Sequence, residues 1–466
     1  MRNRTSPSGP RGPQRRRSAL AVLVGSAAAF GLLPTAAMAS PTGQPAGSSV
    51  SQASRVDASA ELAAVLQGSK LRASDETDRS DFGVSVAVDG DTALVGAVGH
   101  DTPRGLGAGS AYVFVRSGGR WIETTELTAP DGAALDGFGI AVALSGDTAV
   151  IGAFRDNIRG GAADTGSAYV FVRSGTTWTL QAKLTASDAV AREQFGQSVA
   201  LDGDTVVVGA PADEEQGRFD AGSAYVFERS GTAWTEQARL VASDAAARDA
   251  FGWSVAVDAD TAVVGAIGDD APPGKPDAGS AYVFVRSETG WAELAKLTAS
   301  DAAEFASFGY SVAVSADTAL IGAPGFGSSA EDTGSAYVFV RSGSTWTQQA
   351  QLTAADGATG DAFGLSVALR GVVAVVGAAR DDTAAGDDVG SVYLFDRREP
   401  SWTMRAKVVA PDGSEFDQLG VSVALDGSTV IAGAPGDGGT RDTGSAYIAS
   451  RVALTAGSPG GISLFP

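Results

Sequence analysis

The sequence contains no cysteine, one histidine and three methionines among its 466 residues. Without cysteine, neither disulfide bonds nor thiolate metal sites are available, so the fold must rest on packing and backbone pairing. Basic residues number 34 against 54 acidic ones, which gives a formal net charge of −20. A chain this acidic repels phosphate backbones, and this excludes nucleic acid as a partner. The hydrophobic fraction of 44% excludes wholesale disorder.

Sequence signals of catalysis are also scarce. The only histidine, His100, stands alone in a variable loop, where a histidine is usually exposed, and no G-x-S-x-G elbow occurs. Carboxylates are plentiful, so an alternative is a polysaccharide lyase or hydrolase with a carboxylate or tyrosine site in a central funnel. The scarcity of catalytic motifs favours a non-catalytic protein, and we assign no catalytic residue.

The first 39 residues are typical of a signal peptide. Six arginines without an acidic residue precede an apolar run, and Ala37-Met38-Ala39 offers a small-x-small cleavage site. This predicts a secreted protein, exported by the Sec route, with Arg15–Arg17 giving weaker support to a twin-arginine route. An uncleaved membrane anchor is the alternative, although the run is shorter than a usual span. Residues 40–56 read as a flexible linker and 454–466 as a C-terminal tail, and the mature chain holds no membrane span.

Residues 57–453 form one unit repeated seven times. Each copy opens on Phe-Gly, with leucine in the last copy, and the copies follow one another at 55 to 57 residues. The phrase "GSAYVF" stands at Gly109–Phe114 and returns in every copy, with changes in the last two. Such a period indicates a repeat architecture. The opening residues are Phe82, Phe138, Phe195, Phe251, Phe308, Phe363 and Leu419.

Each copy carries four strand-like runs and no helical period. In the third copy they are "SVALD", "VVVGA", "SAYVFER" and "WTEQARL", and the "DGDT" between the first two is a tight hairpin turn. A small four-stranded sheet cannot bury both faces alone, so neighbouring copies must stack, and a ring leaves only short edges. We therefore predict an all-β fold, a seven-bladed β-propeller of four-stranded antiparallel blades. The segment Leu66–Asp75 resembles a fourth strand, and we expect it to complete the last blade, which lacks one.

Recurring side chains are interpreted as architectural. Tyrosine in "AYVF" and tryptophan on the fourth strand are expected to pack between blades rather than stack on sugars. One aspartate lies seven residues before each opening residue, and we expect it to accept hydrogen bonds from turn amides rather than bind a metal. Trp253 and Tyr310 break the pattern and are candidates for ligand contact. The recurring aspartates are Asp75, Asp131, Asp188, Asp244, Asp301, Asp356 and Asp412.

The pattern "FGxSVA…VVGAP…GSAYVF" resembles the FG-GAP repeat, the unit of the integrin alpha-subunit propeller and of many secreted bacterial proteins. Phe195-Gly196 and Gly209-Ala210-Pro211 show both defining elements in one copy. The resemblance implies a propeller used for binding or adhesion. Many members carry a D-x-D-x-D-G calcium loop between the first two strands, but a turn as short as "DGDT" cannot supply the six to eight oxygens that calcium takes. The usual calcium sites are therefore expected to be absent.

Negative charge is concentrated in the long loops. The strand 2–3 and inter-blade loops should share one face, and they hold 35 of the 54 acidic residues. Solubility alone would explain such loops. A recognition face for basic partners is the sharper interpretation, and weak calcium binding there is a further option. The candidate binding residues are Asp213, Glu214, Glu215, Asp220, Trp253, Asp269, Asp270, Asp277, Tyr310, Asp381, Asp382, Asp387 and Asp388.

These observations lead to a functional expectation with two alternatives. We expect a secreted, monomeric, non-catalytic scaffold for binding or adhesion, which recognises an extracellular protein or glycan through the acidic loop face. The polysaccharide-active enzyme and a purely structural envelope protein are the alternatives. No cofactor is assigned.

Overall fold

Every regular element of the described chain is a β-strand, except for a short 3₁₀ turn at Gly439–Arg441. The computed structural model describes residues 70–157, 164–271, 274–325 and 333–449. Within these ranges, no helix is long and apolar enough to cross a membrane. The predicted signal peptide (1–39), linker (40–56) and tail (454–466) lie outside the described residues.

The strands form seven antiparallel sheets of four. Six sheets have their strands in chain order from the centre outwards, and in the seventh β1 lies outside the last three strands of the chain. The innermost strands are β2 (Phe82–Asp89), β6 (Phe138–Ser145), β10 (Ser198–Asp202), β14 (Phe251–Asp258), β18 (Ser311–Ser315), β22 (Phe363–Arg370) and β26 (Val423–Asp426). The second strands are β3 (Thr92–Ala97), β7 (Thr148–Ala153), β11 (Thr205–Ala210), β15 (Thr261–Ala266), β19 (Thr318–Ala323), β23 (Val373–Ala378) and β27 (Thr429–Ala434). The third strands are β4 (Ser110–Ser117), β8 (Ser167–Ser174), β12 (Ser223–Ser230), β16 (Ser280–Ser287), β20 (Ser335–Ser342), β24 (Ser391–Arg398) and β28 (Ser445–Ala449). The outermost strands are β5 (Arg120–Leu127), β9 (Thr177–Leu184), β13 (Ala233–Leu240), β17 (Gly290–Leu297), β21 (Thr345–Leu352), β25 (Ser401–Val408) and, in blade seven, β1 (Lys70–Leu71).

The predicted closure of the ring is confirmed. Strand β1 pairs antiparallel with β28, so that Lys70 lies opposite Tyr447 and residues from both ends of the repeat array share one sheet. Phe82 of blade one forms a parallel bridge with Gly444 of blade seven. The same bridge joins other neighbouring blades, for example Gly222 with Phe251. The fold is therefore the predicted seven-bladed β-propeller.

The hydrophobic core is divided among the junctions between blades. Among the residues that the structure describes, seven buried clusters occur, and each contains residues of two adjacent blades. At the junction of blades seven and one, Phe82 is fully buried, with its ring 5.5 Å from that of Tyr112 and 6.0 Å from that of Phe114. Trp234 on an outermost strand donates a 2.8 Å hydrogen bond to Gln181 of the preceding blade. The packing interpretation of these aromatic residues is confirmed.

The repeat's glycines are required because adjacent blades meet backbone to backbone. A Cβ on Gly209 would lie 2.0 Å from the carbonyl oxygen of Gly252 in the next blade. Gly252 itself has φ +92°, a conformation that glycine adopts without penalty. The Ser198 hydroxyl donates a 2.9 Å hydrogen bond to the same carbonyl. The "GA" glycine and the serine of one blade thus form a lock with the Phe-Gly carbonyl of the next blade. The serine bond recurs at six of the seven junctions of the described chain, including Ser422 with Gly83 at the closure (2.8 Å), whereas blade two has Ala141 in place of the serine.

Two-residue turns join the first and second strands of the blades, as predicted. Their acidic residues are paired with arginines of the third strand. Arg116 Nε donates a 2.6 Å hydrogen bond to Asp91, and Arg173 Nε donates one of 2.7 Å to Asp147. Charge on the short-turn side of the propeller is therefore balanced locally, whereas the long-loop side carries the acidic excess.

Candidate functional site

The strand 2–3 loops and the inter-blade loops lie side by side, and together we call them the loop face. Backbone hydrogen bonds join a loop of one kind to a loop of the other. Leu135 N–H donates to the Leu106 carbonyl (2.9 Å), and Arg248 N–H donates to that of Phe219 (2.9 Å). This confirms that both kinds of long loop share one face.

Four of the thirteen candidate binding residues have buried carboxylates. Asp213, Glu215, Asp269 and Asp381 are each 8% exposed or less. Removing such a charge from water is costly unless a cation neutralises it, and a cation from the fourth strand of the same blade does so here. These four therefore do not present carboxylates to a partner, contrary to the expectation for the face. The ion pairs are Arg239 with Asp213 (2.6 Å) and Glu215 (2.5 Å), Lys296 with Asp269 (2.5 Å) and Lys407 with Asp381 (2.6 Å).

The remaining candidate carboxylates lie at or near the surface. Asp270 and Asp382 are exposed, and each accepts a hydrogen bond from a backbone N–H six or seven residues further on in its own loop, at 3.0 and 2.9 Å. Glu214 and Asp387 are also exposed. The half-buried members are Asp220, Asp277 and Asp388, all at positive φ, and burial raises the pKa of each above its usual range.

Trp253 and Tyr310 contact each other instead of standing apart on the loops. Their ring centroids are 5.5 Å apart, and both side chains are half-buried at the inner strands of blades four and five. Burial raises the pKa of Tyr310 to about 12. The pair belongs to the centre of the ring, so it does not extend the rim of acidic loops.

A ring of exposed tip residues is the feature that the sequence analysis missed. The third residue before each opening residue is exposed and has φ between 62° and 96°. Bulky side chains rarely adopt this left-handed conformation, and residues held in it often serve a function. Position alone is the signal that could have identified them. They are Arg79, Leu135, Arg192, Arg248, Phe305, Gly360 and Phe416.

Most of the exposed large apolar side chains that the structure describes lie on this same face. In the described chain nine large apolar residues are exposed, and only Ile122, Leu180 and Val372 lie elsewhere. Leu106 is 70% exposed and its neighbour Leu135 is 63% exposed. Leu106 and Leu135 lie side by side, and the other four are distributed over further loops of the same face. Contiguous apolar exposure rimmed by polar groups, as at Leu106 and Leu135, marks interaction surfaces. The six on the loop face are Leu106, Leu135, Val190, Phe219, Phe305 and Phe416.

Beneath the loop face, each recurring aspartate takes part in an inter-blade network. Asp244 accepts a 2.8 Å hydrogen bond from the Tyr282 hydroxyl and a 2.7 Å bond from Lys296 Nζ. The expectation that these aspartates accept turn amides is met in part, because Asp244 also accepts its own backbone N–H, but its bonds to side chains were not expected. Burial alone would raise the pKa of Asp244, but the bonds from Lys296 and Tyr282 lower it below its usual range. Burial and the neighbouring carboxylates raise the pKa of Tyr282 far above its ordinary value.

Further turn amides are held by a different set of carboxylates, two residues before the opening position. Asp136 Oδ2 accepts the Ala133 N–H at 2.6 Å, and its buried Oδ1 has no hydrogen-bond partner in the described chain. Burial raises the pKa of Asp136 to about 6, and that of the equivalent Glu193 to about 7. These groups stabilise the inter-blade loops and are not exposed to a ligand.

His100 is buried, contrary to the expectation of an exposed loop histidine. It is 3% exposed, and its ring lies edge-on to Tyr112 with centroids 5.8 Å apart. The residue occupies the position that Asp156 and Asp269 hold in other blades, directly beneath the loop face. A loop position in sequence did not indicate this, because the burial comes from the neighbouring inter-blade segment.

The matches to a known family agree with this arrangement of seven blades. The sequence model described as "FG-GAP repeat" matches seven times, at residues 65–114, 121–171, 178–227, 234–284, 291–339, 346–395 and 402–449. The chain belongs to the FG-GAP repeat family. Each match to this FG-GAP propeller runs from a fourth strand, or the segment around β1, to the third strand of the next blade, as the observed closure requires.

Similarity to individual known proteins is weaker than the match to the family. It has no significant match among curated proteins. The solved structure of Sqt1 from Saccharomyces cerevisiae is similar with 11% identity and a TM-score of 0.43, covering 79% of this chain and 82% of that one. Sqt1 from Chaetomium thermophilum is similar with 15% identity and a TM-score of 0.44, at the same coverage.

Proposed function

We propose that this FG-GAP propeller is a secreted, non-catalytic binding scaffold whose loop face engages a protein partner. One observation carries the proposal: of the nine exposed large apolar side chains in the described ranges, six lie on the face that also holds the acidic excess. Apolar anchors supply affinity at a protein interface, and surrounding charges select the partner and speed its approach. The complementary surface would carry lysine or arginine around an apolar centre.

The rigidity of the scaffold supports this role. The tip residues project from backbone fixed by inter-blade hydrogen bonds, such as Phe416 N–H to the Asp387 carbonyl at 2.9 Å. A partner therefore meets side chains that are already in place, and little loop ordering is lost on binding. The loops differ in sequence from copy to copy, whereas the strands repeat. Variable loops on a constant framework are suited to recognition rather than to packing.

The test uses two matched variants of the full chain. In the first, Leu106, Leu135, Phe219 and Phe416 are changed to serine, and in the control Ile122, Leu180 and Val372 are changed to serine. Proteins from the extracellular fraction are cross-linked to each variant and quantified, and identified partners are then titrated directly. We expect the first variant to lose its partners while the control keeps them, with both melting like the unaltered chain.

Three results would contradict the proposed role of the loop face in binding a protein. Equal binding by both variants would remove the loop face from recognition. Loss of binding only when Asp270, Asp382 and Asp387 become asparagine, with capture of basic polysaccharides rather than proteins, would favour a glycan ligand. Turnover of a polysaccharide by the purified chain would favour the enzyme alternative.

Export is the second part of the proposal, supported by the arginine-rich start and the apolar run of the first 39 residues. We expect the protein outside the producing cell to begin at Ser40. Amino-terminal sequencing of the culture supernatant tests this. An intact Met1 in the membrane fraction would instead favour the anchor alternative.

A further inference from the structure

Five of the seven blade junctions share one charge arrangement. A cation at the end of the outermost strand lies between the recurring aspartate and a buried aspartate of the strand 2–3 loop. In blade four, Lys296 Nζ lies 2.7 Å from Asp244 and 2.5 Å from Asp269. One positive charge between two carboxylates satisfies an otherwise costly buried site. The corresponding cations are Lys183, Arg239, Lys296, Lys407 and, at the ring closure, Lys70.

Blade one departs from this arrangement at two positions at once. Glu126 stands where the cation stands in those five junctions, and His100 replaces the buried loop aspartate. The recurring aspartate, Asp75, is retained and accepts the Tyr112 hydroxyl at 2.8 Å. The junction therefore holds two carboxylates and one imidazole. Glu126 takes the place of the cation, and the imidazole of His100 takes the place of the buried aspartate.

The three groups converge with the geometry of metal ligands. His100 Nε2 lies 3.5 Å from Asp75 Oδ2 and 3.8 Å from Glu126 Oε1. All three ligand atoms lie within 4.8 Å of one another, and this is the one such group of histidine and carboxylates in the described ranges. Ligands about 2.0–2.2 Å from a tetrahedral ion are separated by roughly 3.4 Å, which is close to the two shorter separations.

The imidazole is held in a suitable orientation. Its other nitrogen, Nδ1, lies 3.2 Å from the Thr77 hydroxyl, and the ring is buried against Tyr112. The Ser80 hydroxyl donates to the Thr77 carbonyl (2.6 Å), so the Thr77 hydroxyl donates to Ser80 (2.7 Å) and accepts from Nδ1–H. This tautomer leaves Nε2 free to coordinate, as the outer partners of metal-bound histidines do. Nε2 is thus aimed between the two carboxylates from a side chain that is only 4% exposed.

We propose that Asp75, His100 and Glu126 bind one divalent transition-metal ion of the zinc class. One nitrogen and two carboxylate oxygens suit zinc, whereas calcium takes oxygen ligands. The carboxylate side chains are 49% and 35% exposed, so the ion can enter from solvent and keep a water ligand. Asp75 belongs to the segment that follows the closing strand β1, so the ion joins that segment to blade one and strengthens the ring closure.

Zinc titration of the metal-stripped full chain tests the proposal. We expect one equivalent bound, a rise of the unfolding midpoint with zinc concentration, and a shift of the resonances of the single imidazole. Affinity should fall at least about tenfold in His100→Asn, and also when the orienting hydroxyl is removed in Thr77→Val. Calcium and magnesium at equal concentration should produce neither the midpoint rise nor the imidazole shift.

The matched control restores the arrangement of the other junctions. In the double variant His100→Asp/Glu126→Lys, the charges become those of blade four, so the protein should fold as before and lose the zinc response. Equal zinc binding by the unaltered chain and by His100→Asn would overturn the proposal. An imidazole that responds to pH but not to zinc would also overturn it and make His100 a cationic substitute for lysine. A calcium response equal to that of zinc would reject the assigned metal class.

Discussion

Lys296 Nζ lies 2.7 Å from Asp244 Oδ2, and the same ammonium reaches the buried carboxylate of Asp269 at 2.5 Å. Burial alone would lower the pKa of Lys296, but the two carboxylates raise it above its usual range, and the charged form is retained. The interaction joins the segment leaving blade three to blade four. A partly buried ion group of this kind is costly to disrupt from one side only.

We predict that Lys296→Met lowers the free energy of unfolding by about 2–3 kcal/mol, because Asp269 is then left in the interior without its cation. Adding Asp269→Asn should recover at least half of the loss, since an amide is less costly to bury than an unpaired carboxylate. Urea unfolding of both variants measures this. A double variant no more stable than Lys296→Met would show that the ammonium acts only through its packing.

The Gly209–Gly252 contact predicts a much larger effect from a single methyl group. Gly209→Ala would place a Cβ 2.0 Å from the Gly252 carbonyl oxygen, a backbone atom that can yield only by separating the blades. We expect this variant to fail to fold or to melt far below the unaltered chain.

Gly203→Ala is the matched control for that prediction. Gly203 has φ +56° in a hairpin turn with open space around it, so alanine there should cost only about 1–2 kcal/mol. Thermal melting compares the two. Similar melting temperatures for both alanine variants would contradict the blade-locking role of Gly209.

The sequence was sufficient to predict the blades and their closure. Two-residue turns and period-2 runs act locally, and seven copies repeat the same local signal, so register and strand number follow from them. The fourth-strand likeness of residues around Lys70 likewise identified β1, because the last copy lacks that strand.

The candidate site was less predictable because it depends on contacts between distant residues. Asp269 and Asp270 are adjacent in sequence, yet only Asp269 meets Lys296 and is buried. His100 is buried by a segment more than twenty residues away. The positive φ of Leu135 comes from inter-blade backbone hydrogen bonds, and no residue preference indicates it.

Stability should depend on pH through the carboxylates that lie two or one residues before the opening positions. Burial raises the pKa of Asp81 and Glu193 to about 7 and that of Asp136 and Asp249 to about 6. A raised folded-state pKa contributes stability that is complete below the unfolded value and is lost as pH rises through the folded one. We therefore expect the melting temperature to fall between pH 5 and pH 8.

The opposite set limits stability in acid. Asp131, Asp244, Asp356 and Asp412 have pKa values lowered by their cation and tyrosine bonds in spite of burial, so their contribution is lost as pH falls below about 3.8. The stability maximum should lie near pH 4–5. Calorimetry across pH tests this, and Glu193→Gln should reduce the fall between pH 5 and 8. A melting temperature that rises over that interval would contradict the assignment.

Two substitutions in the repeat leave an apolar cavity at the junction of blades six and seven. Leu419 and Ala449 stand where Phe363 and Phe395 of blade six make an edge-to-face contact with centroids 6.2 Å apart. Both substituted residues line a small apolar cavity of about 10 Å³, together with Tyr447. The missing ring carbon atoms explain the void.

We predict that Leu419→Phe raises the free energy of unfolding by about 1 kcal/mol, because the added ring atoms replace empty volume with apolar contacts. The reciprocal change, Phe363→Leu, should lower it by about 1 kcal/mol or more, since that ring is fully buried and its site is already filled. Chemical denaturation of the two variants and of the unaltered chain measures these changes in the free energy of unfolding. Destabilisation by Leu419→Phe would mean that the walls of the cavity cannot part enough for the larger ring, as happens when a well-packed core is overfilled.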